Sequence, residues 1–78
     1  MSRATNKLTT VKIDGLTERG RYGDGGGLWL NVTHTGGKSW VYRWTKRGHV
    51  RELGLGPYPV VSLAKARKKA FEYRQMIA

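Results

Sequence analysis

The chain has 78 residues and no cysteine, and its 15 Lys and Arg against five Asp and Glu give a formal net charge of +10. This length fits one small domain, and the lack of cysteine excludes disulfides, thiol catalysis and cysteine-ligated zinc. No apolar run approaches the roughly 20 residues of a membrane span, and no secretory signal is visible, so we expect a cytoplasmic protein with a polyanionic partner such as nucleic acid.

The first 20 residues show no sustained hydrophobic period, and we expect them to form an extended or partly disordered segment. Gly15 and the β-branched residues before it disfavour a helix there. The glycine-rich run at 23–27 is a strong break signal ahead of the first strand. The domain proper is therefore expected to cover residues 21–78.

Three segments after this run alternate between apolar and polar residues, which is typical of half-buried strands. They cover residues 28–33, 39–46 and 50–55, and turns containing glycine join them. Short turns of this kind predict an antiparallel meander. Two prolines, Pro57 and Pro59, end the sheet because proline cannot donate to a ladder.

Residues 63–78 contain no Gly or Pro, and Ser62 stands where a helix N-cap is expected. Apolar side chains three and four residues apart form one stripe on this helix, and the stripe needs an apolar partner. The fold class is therefore α+β, with a three-stranded antiparallel β-sheet packed on one C-terminal α-helix. Because no C-terminal cap precedes residue 78, we expect the chain to be a fragment of a longer protein. The stripe is Leu63, Ala66, Ala70, Tyr73 and Ile77, and the sheet face expected to meet it carries Leu28, Leu30, Val32, Trp40, Tyr42, Trp44, Leu53 and Leu55.

Signals for an enzyme are weak. Gly37-Lys38-Ser39 resembles the end of a P-loop, but position 32 is Val where that motif needs Gly. The carboxylates are scattered, and His34 and His49 have no partners at metal-ligand spacing. We therefore expect no catalytic residue, no metal, no cofactor, no small-molecule substrate and no membrane association.

The second face of the sheet is expected to be open, polar and partly basic. A sheet of two or three strands can enter the major groove of DNA. Arg43 is the best base-reading candidate because a guanidinium can bond guanine O6 and N7 in a fork, and Asn31 can pair with adenine. Threonine methyls on this face can meet thymine methyls, and cations in or beside the turns are placed for phosphates. The candidate DNA-binding residues are Asn31, Thr33, Lys38, Val41, Arg43, Thr45, Lys46 and Arg47.

The aromatic stripe of Trp40, Tyr42 and Trp44 has two interpretations. It can be a platform on which bases stack. Its match to the apolar stripe of the helix favours a place in the core instead.

Three motifs stand in a fixed order: Tyr-Gly-Asp-Gly-Gly-Gly-Leu-Trp-Leu at 22–30, Gly-Lys-Ser-Trp-Val-Tyr-Arg-Trp at 37–44, and Leu-Gly-Leu-Gly-Pro-Tyr-Pro-Val-Val-Ser-Leu-Ala-Lys-Ala-Arg at 53–67. Together they resemble the N-terminal arm-type DNA-binding domain of phage and prophage integrases, which are tyrosine recombinases. The resemblance implies a sheet that lies in the major groove of arm-type attachment sites, with double-stranded DNA and other integrase protomers as partners. It also implies that the core-binding and catalytic domains, including the nucleophilic tyrosine, are absent from this chain.

Two other functions stay open. A generic basic module would prefer single-stranded or A-form nucleic acid. A protein-interaction domain would use the C-terminal helix to contact other recombinase protomers.

Overall fold

One antiparallel sheet, with strands in the order β1-β2-β3-β4, is the centre of the molecule. The computed structural model describes residues 7–77. Successive strands pair as neighbours, so each connection is a hairpin or a short loop. The elements are α1 (Thr10–Asp14), β1 (Gly20–Gly25), β2 (Leu28–Val32), β3 (Lys38–Lys46), β4 (His49–Pro57) and α2 (Leu63–Ile77).

The core lies between α2 and the face of the sheet that α2 covers, which we call the inner face. The three inward residues of β2, Leu28, Leu30 and Val32, are at most 1% exposed, and their alternation with half-buried neighbours confirms the predicted period. From the helix, Leu63, Ala66 and Ala70 are buried against them, and the small alanines allow a close approach of helix and sheet. Trp44, Leu53, Tyr73 and Ile77 complete the packing as partly buried residues.

Trp40 is the largest fully buried side chain, and its place decides between the two interpretations of the aromatic stripe. Its indole Nε1 donates a hydrogen bond to the carbonyl of Val61 at 2.7 Å, so the buried polar atom is satisfied. Tyr42 is 4% exposed and stacks on Tyr73 of α2 with ring centroids 6.2 Å apart. The assignment of Trp40 and Tyr42 to the core is therefore confirmed, and neither ring is available for stacking on bases, while Trp44 is partly buried against the core.

The sheet has four strands, so the prediction of three is wrong. The additional strand, β1, pairs with β2 from Gly20 opposite Val32 to Gly25 opposite Leu28, with an irregularity between Gly23 and Gly25. Three of its six residues are glycine, which is depleted in strands and is typical of loops. Pairing with the apolar strand β2 outweighs that low propensity.

The prediction of an extended segment before residue 21 is also wrong where α1 forms, while residues 1–6 lie outside the described part of the chain. Thr9 is the N-cap, and its hydroxyl accepts a hydrogen bond from the Lys12 amide at 3.1 Å. Ile13 is fully buried, so the single turn of helix is stabilised by its contact with the core. This burial and the cap outweigh the weak helix propensity of the β-branched residues.

Candidate nucleic-acid interface

The face of the sheet opposite α2, which we call the outer face, carries the candidate site. Residues directly opposite each other in an antiparallel pair share a face, so the register identifies its members. Asn31 lies between Arg21 of β1 and Ser39 of β3, and Arg43 lies opposite Glu52 of β4. The outward residues of the four strands are all at least partly exposed. These outward residues are Arg21, Gly23, Trp29, Asn31, Ser39, Val41, Arg43, Thr45, Val50, Glu52 and Gly54.

An ion-pair cluster of Arg21, Glu52 and Arg43 lies on the outer face. Arg21 donates to both Glu52 oxygens, through Nη1 to Oε2 and through Nη2 to Oε1 at 3.2 Å. The Arg43 Nε lies 3.9 Å from Glu52 Oε2, which is an ion-pair contact rather than a hydrogen bond. Because β1 and β4 are the two edges of the sheet, the contact between Arg21 and Glu52 passes over the outer surface of the central strands.

The cluster changes the acidity of its members. The hydrogen bond from Arg21 is the largest influence on Glu52 and holds the pKa of this carboxyl below its ordinary value. The same hydrogen bond raises the pKa of the Arg21 guanidinium. All three side chains are 38–44% exposed, so water screens the attraction and the cluster adds little to stability.

Five of the eight sequence-predicted site residues belong to this side of the sheet. Asn31, Val41, Arg43 and Thr45 lie in the outward register of β2 and β3. Thr33 follows β2, and its hydroxyl is used by the turn before β3, where it accepts from the Gly37 amide at 3.0 Å. The structure therefore places Asn31, Val41, Arg43 and Thr45 on one face of the sheet.

The three predicted phosphate-binding cations lie in or beside the turns at the two ends of β3, as expected, and not in its outward register. Lys38 is opposite Val32, and Lys46 comes two residues after Trp44, so both follow the inward register at the two ends of β3. Arg47 is in the hairpin turn, with a left-handed φ of 52°. Lys46 and Arg47 line a cavity of about 450 Å³ between the hairpin tip and the end of α2, together with Trp44, His49, Arg51 and Ile77.

The glycine-rich loop of the first motif holds β3 at the position of Arg43. The Arg43 amide donates to the carbonyl of Gly27 at 2.8 Å. Gly27 has a φ of +91°, and a Cβ at this position would lie 2.7 Å from the Arg43 carbonyl oxygen. Only glycine permits so close an approach, so the motif fixes the backbone that carries the best base-reading candidate.

Sequence reasoning missed Arg21 because it did not recognise β1 as a strand. The readable signal is the alternation of Arg21 and Gly23 with Tyr22 and Asp24, in which the second pair points to the core. Within residues 7–77, no group of three or more His, Asp or Glu side chains can hold a metal ion, and no helix is long and apolar enough to cross a membrane.

Comparisons with known proteins identify relatives of this chain by sequence. Residues 5–78 match the family model described as the Arm DNA-binding domain. Over 55 residues the chain is 40% identical to an integrase of Shigella phage Sf6 and to the prophage integrase IntS of Escherichia coli strain K12. Over 56 residues it is 38% identical to an integrase of Enterobacteria phage P4. These matches cover 69–70% of this chain but only 13–14% of the relatives, so the chain spans a small part of their length.

Proposed function

The chain belongs to the arm DNA-binding domain family, and we propose that it binds double-stranded DNA at the arm-type attachment sites of an integrase, with the outer face in the major groove. Its role is to support site-specific recombination by attaching the recombinase to these sites. The binding is selective for sequence.

The observation that carries the proposal is the uncovered outer face, with Arg43 and Asn31 on its two central strands. α2 packs on the inner face alone, so the outward side chains of β2 and β3 are accessible to a ligand. A sheet placed in the major groove meets base edges with such side chains. Arg43 supplies a forked donor for guanine, and Asn31 supplies the donor and acceptor pair that fits adenine.

The charge of the chain supports the same partner. A net charge of +10 attracts the phosphate backbone without regard to sequence. Lys46 and Arg47 at the tip of the β3–β4 hairpin lie directly after the outward Thr45, so they are near the rim of the face. We assign phosphate contacts to these two cations and base contacts to the outward side chains.

We assign no catalytic step to this chain, although its relatives are integrases. Each of its four tyrosines makes a contact within the domain. Tyr42 is buried and stacks on Tyr73, Tyr58 donates to Asp14 Oδ1 at 2.7 Å, and Tyr22 donates to the Glu18 carbonyl at 2.8 Å. We propose that none of these four residues is the catalytic tyrosine of a recombinase.

An amide chemical-shift titration tests this function. The wild-type chain first selects its preferred duplex from a pool of randomised sequences, and a scrambled duplex and the matching RNA duplex are the controls. We expect saturating shifts on the outward residues of β2 and β3 with the preferred duplex alone. Equal weak shifts with all three ligands, concentrated on α2, would mean that the chain binds phosphates without sequence selectivity.

Contact between protomers through α2 is a second function, supported by apolar side chains exposed on that helix. Phe71 is 54% and Met76 is 76% exposed, and both line a cavity of about 520 Å³ on the helix surface. The occupant that fits this proposal is the same patch of a second copy. Sedimentation of the chain with and without the preferred duplex tests it: a dimer that Phe71→Ser abolishes would support the contact, and a monomer under both conditions would contradict it.

A further inference from the structure

Glu52 is an unexpected residue for a surface that binds a polyanion. Within residues 7–77 it is the one carboxylate in the outward register of the sheet. The other four lie elsewhere: Asp24 is buried in the core, Asp14 accepts from Tyr58, Glu18 precedes β1, and Glu72 is on α2. A negative charge on this face repels phosphates, so a purely electrostatic DNA binder would gain affinity by losing it.

Glu52 contacts its two arginines in different ways. Arg21 uses both of its Nη atoms on the carboxylate, so its fork is fully occupied. Arg43 meets the same carboxylate with its Nε edge at 3.9 Å, and within residues 7–77 its Nη atoms have no hydrogen-bond partner. The edge of Arg43 that can bond guanine O6 and N7 is therefore left open while the other edge faces a fixed charge.

We propose that Glu52, held in place by Arg21, is a positioning residue for Arg43 and thereby determines the sequence selectivity of the outer face. This inference rests on the proposed function. The carboxylate acts in two ways. It orients the guanidinium of Arg43 so that the open fork is presented to a base edge, and it keeps the guanidinium of Arg21 from pairing with phosphates of any sequence.

The variant Glu52→Gln separates these effects from net charge. It removes the carboxylate charge and keeps the side-chain length, and the exposed cluster contributes little to folding, so the variant should fold. The matched control is Glu72→Gln, which makes the same change of charge on the exposed surface of α2. Thermal unfolding of both variants checks that the domain is intact.

The readout is the ratio of dissociation constants for a scrambled duplex and for the duplex that the wild-type chain prefers. We expect Glu52→Gln to tighten binding of the scrambled duplex and to lower this ratio about tenfold, the size of one well-formed base contact. Glu72→Gln should leave the ratio unchanged. Arg21→Ala should lower the ratio as well, and combining it with Glu52→Gln should add little, because both variants release the same restraint on Arg43.

Three results would overturn the inference. Equal ratios for Glu52→Gln and Glu72→Gln would show that the carboxylate acts through net charge alone. A loss on the preferred duplex that Glu52→Gln shows and Arg21→Ala does not share would assign Glu52 to direct contact with a base such as cytosine, whose N4 is a donor. A wild-type chain that prefers no duplex would refute the selectivity of the proposed function itself, and this is seen before any variant is compared.

Discussion

The Asp24 carboxylate and the Arg67 guanidinium form a two-point ion pair that joins β1 to α2. Arg67 Nε donates to Asp24 Oδ2, and Arg67 Nη2 donates to Asp24 Oδ1, each at 2.9 Å. The amide of Leu8 also donates to Asp24 Oδ1 at 2.8 Å, and the Leu8 carbonyl accepts from Arg67 Nη2 at 2.8 Å. Three segments far apart in the chain therefore meet at one buried carboxylate, which is 2% exposed.

Loss of Arg67 should destabilise the domain more than neutralisation of Asp24. Arg67→Met leaves a buried charge with one hydrogen bond, and we expect the free energy of unfolding to fall by about 3–5 kcal/mol. Asp24→Asn keeps an oxygen for the Leu8 amide, so the expected loss is about 1–3 kcal/mol. Urea unfolding measures both, with Lys68→Met on the exposed face of α2 as the control. A smaller loss for Arg67→Met than for Asp24→Asn would contradict the inference that an unpaired, buried Asp24 carboxylate is the main cost of losing this ion pair.

Two glycines with nearly the same positive φ should respond differently to alanine. Gly27 and Gly36 have φ values of +91° and +89°, but a Cβ at Gly27 would lie 2.7 Å from the Arg43 carbonyl oxygen, whereas nothing lies within 4 Å at Gly36. Gly36→Ala adds only backbone strain of about 1–2 kcal/mol. Gly27→Ala adds a clash with backbone on top of this, worth a further ~1–3 kcal/mol. Denaturant unfolding of the two variants gives the comparison, and equal losses would show that the loop moves away from β3 at no cost.

The phenol of Tyr58 should titrate above its ordinary range. The hydrogen bond to Asp14 is the largest cause, and it raises the pKa of Tyr58 because it favours the protonated form. Because the pKa is raised in the folded state, the hydrogen bond stabilises the domain fully below the unfolded pKa of about 10. This stabilisation is lost as the pH rises through the pKa of the folded state. NMR titration of the Tyr58 ring carbon measures the pKa, and Asp14→Ala should lower it. An unchanged value in that variant would mean that α1 and the loop after β4 do not meet through this bond.

The sequence allowed much of the fold to be predicted, and each failure has a local cause. Regular alternation identified β2, β3 and β4, and the helical stripe identified α2, because in these elements the core residues follow the period of the backbone. β1 was missed because its inward Asp24 is polar, and its role depends on Arg67, which lies 43 residues later. The resemblance to arm DNA-binding domains, read from three motifs, is confirmed by the family match.

The candidate site was predictable only in part. Alternation placed Asn31, Val41, Arg43 and Thr45 on one face, which the register shows. The contact between Arg21 and Glu52 joins residues 31 apart on the two edge strands, and no local pattern encodes such a contact. The contacts that individual residues make with DNA stay a prediction.

Arg43 and Lys46 should affect DNA binding in different ways. Arg43→Ala removes a base-reading fork, so we expect the preferred duplex to lose about 1–3 kcal/mol of binding free energy while the scrambled duplex loses much less. Lys46→Ala removes a phosphate contact, so both duplexes should weaken alike, and the slope of log K against log[salt] should fall in magnitude by about one. If the wild-type chain neutralises ~5–7 phosphates, its own slope should be about −5 to −6.

Titrations at several salt concentrations distinguish the two roles, because a base contact to an uncharged edge releases few counterions whereas a phosphate contact releases about one. Lys68→Ala on the exposed face of α2 is the matched control, since it removes one positive charge away from the outer face. Equal losses on the preferred and scrambled duplexes for Arg43→Ala would remove this residue from base recognition. The centre of the outer face would then act as a phosphate-binding surface, and selectivity would have to come from Asn31 and Thr45, which share that face.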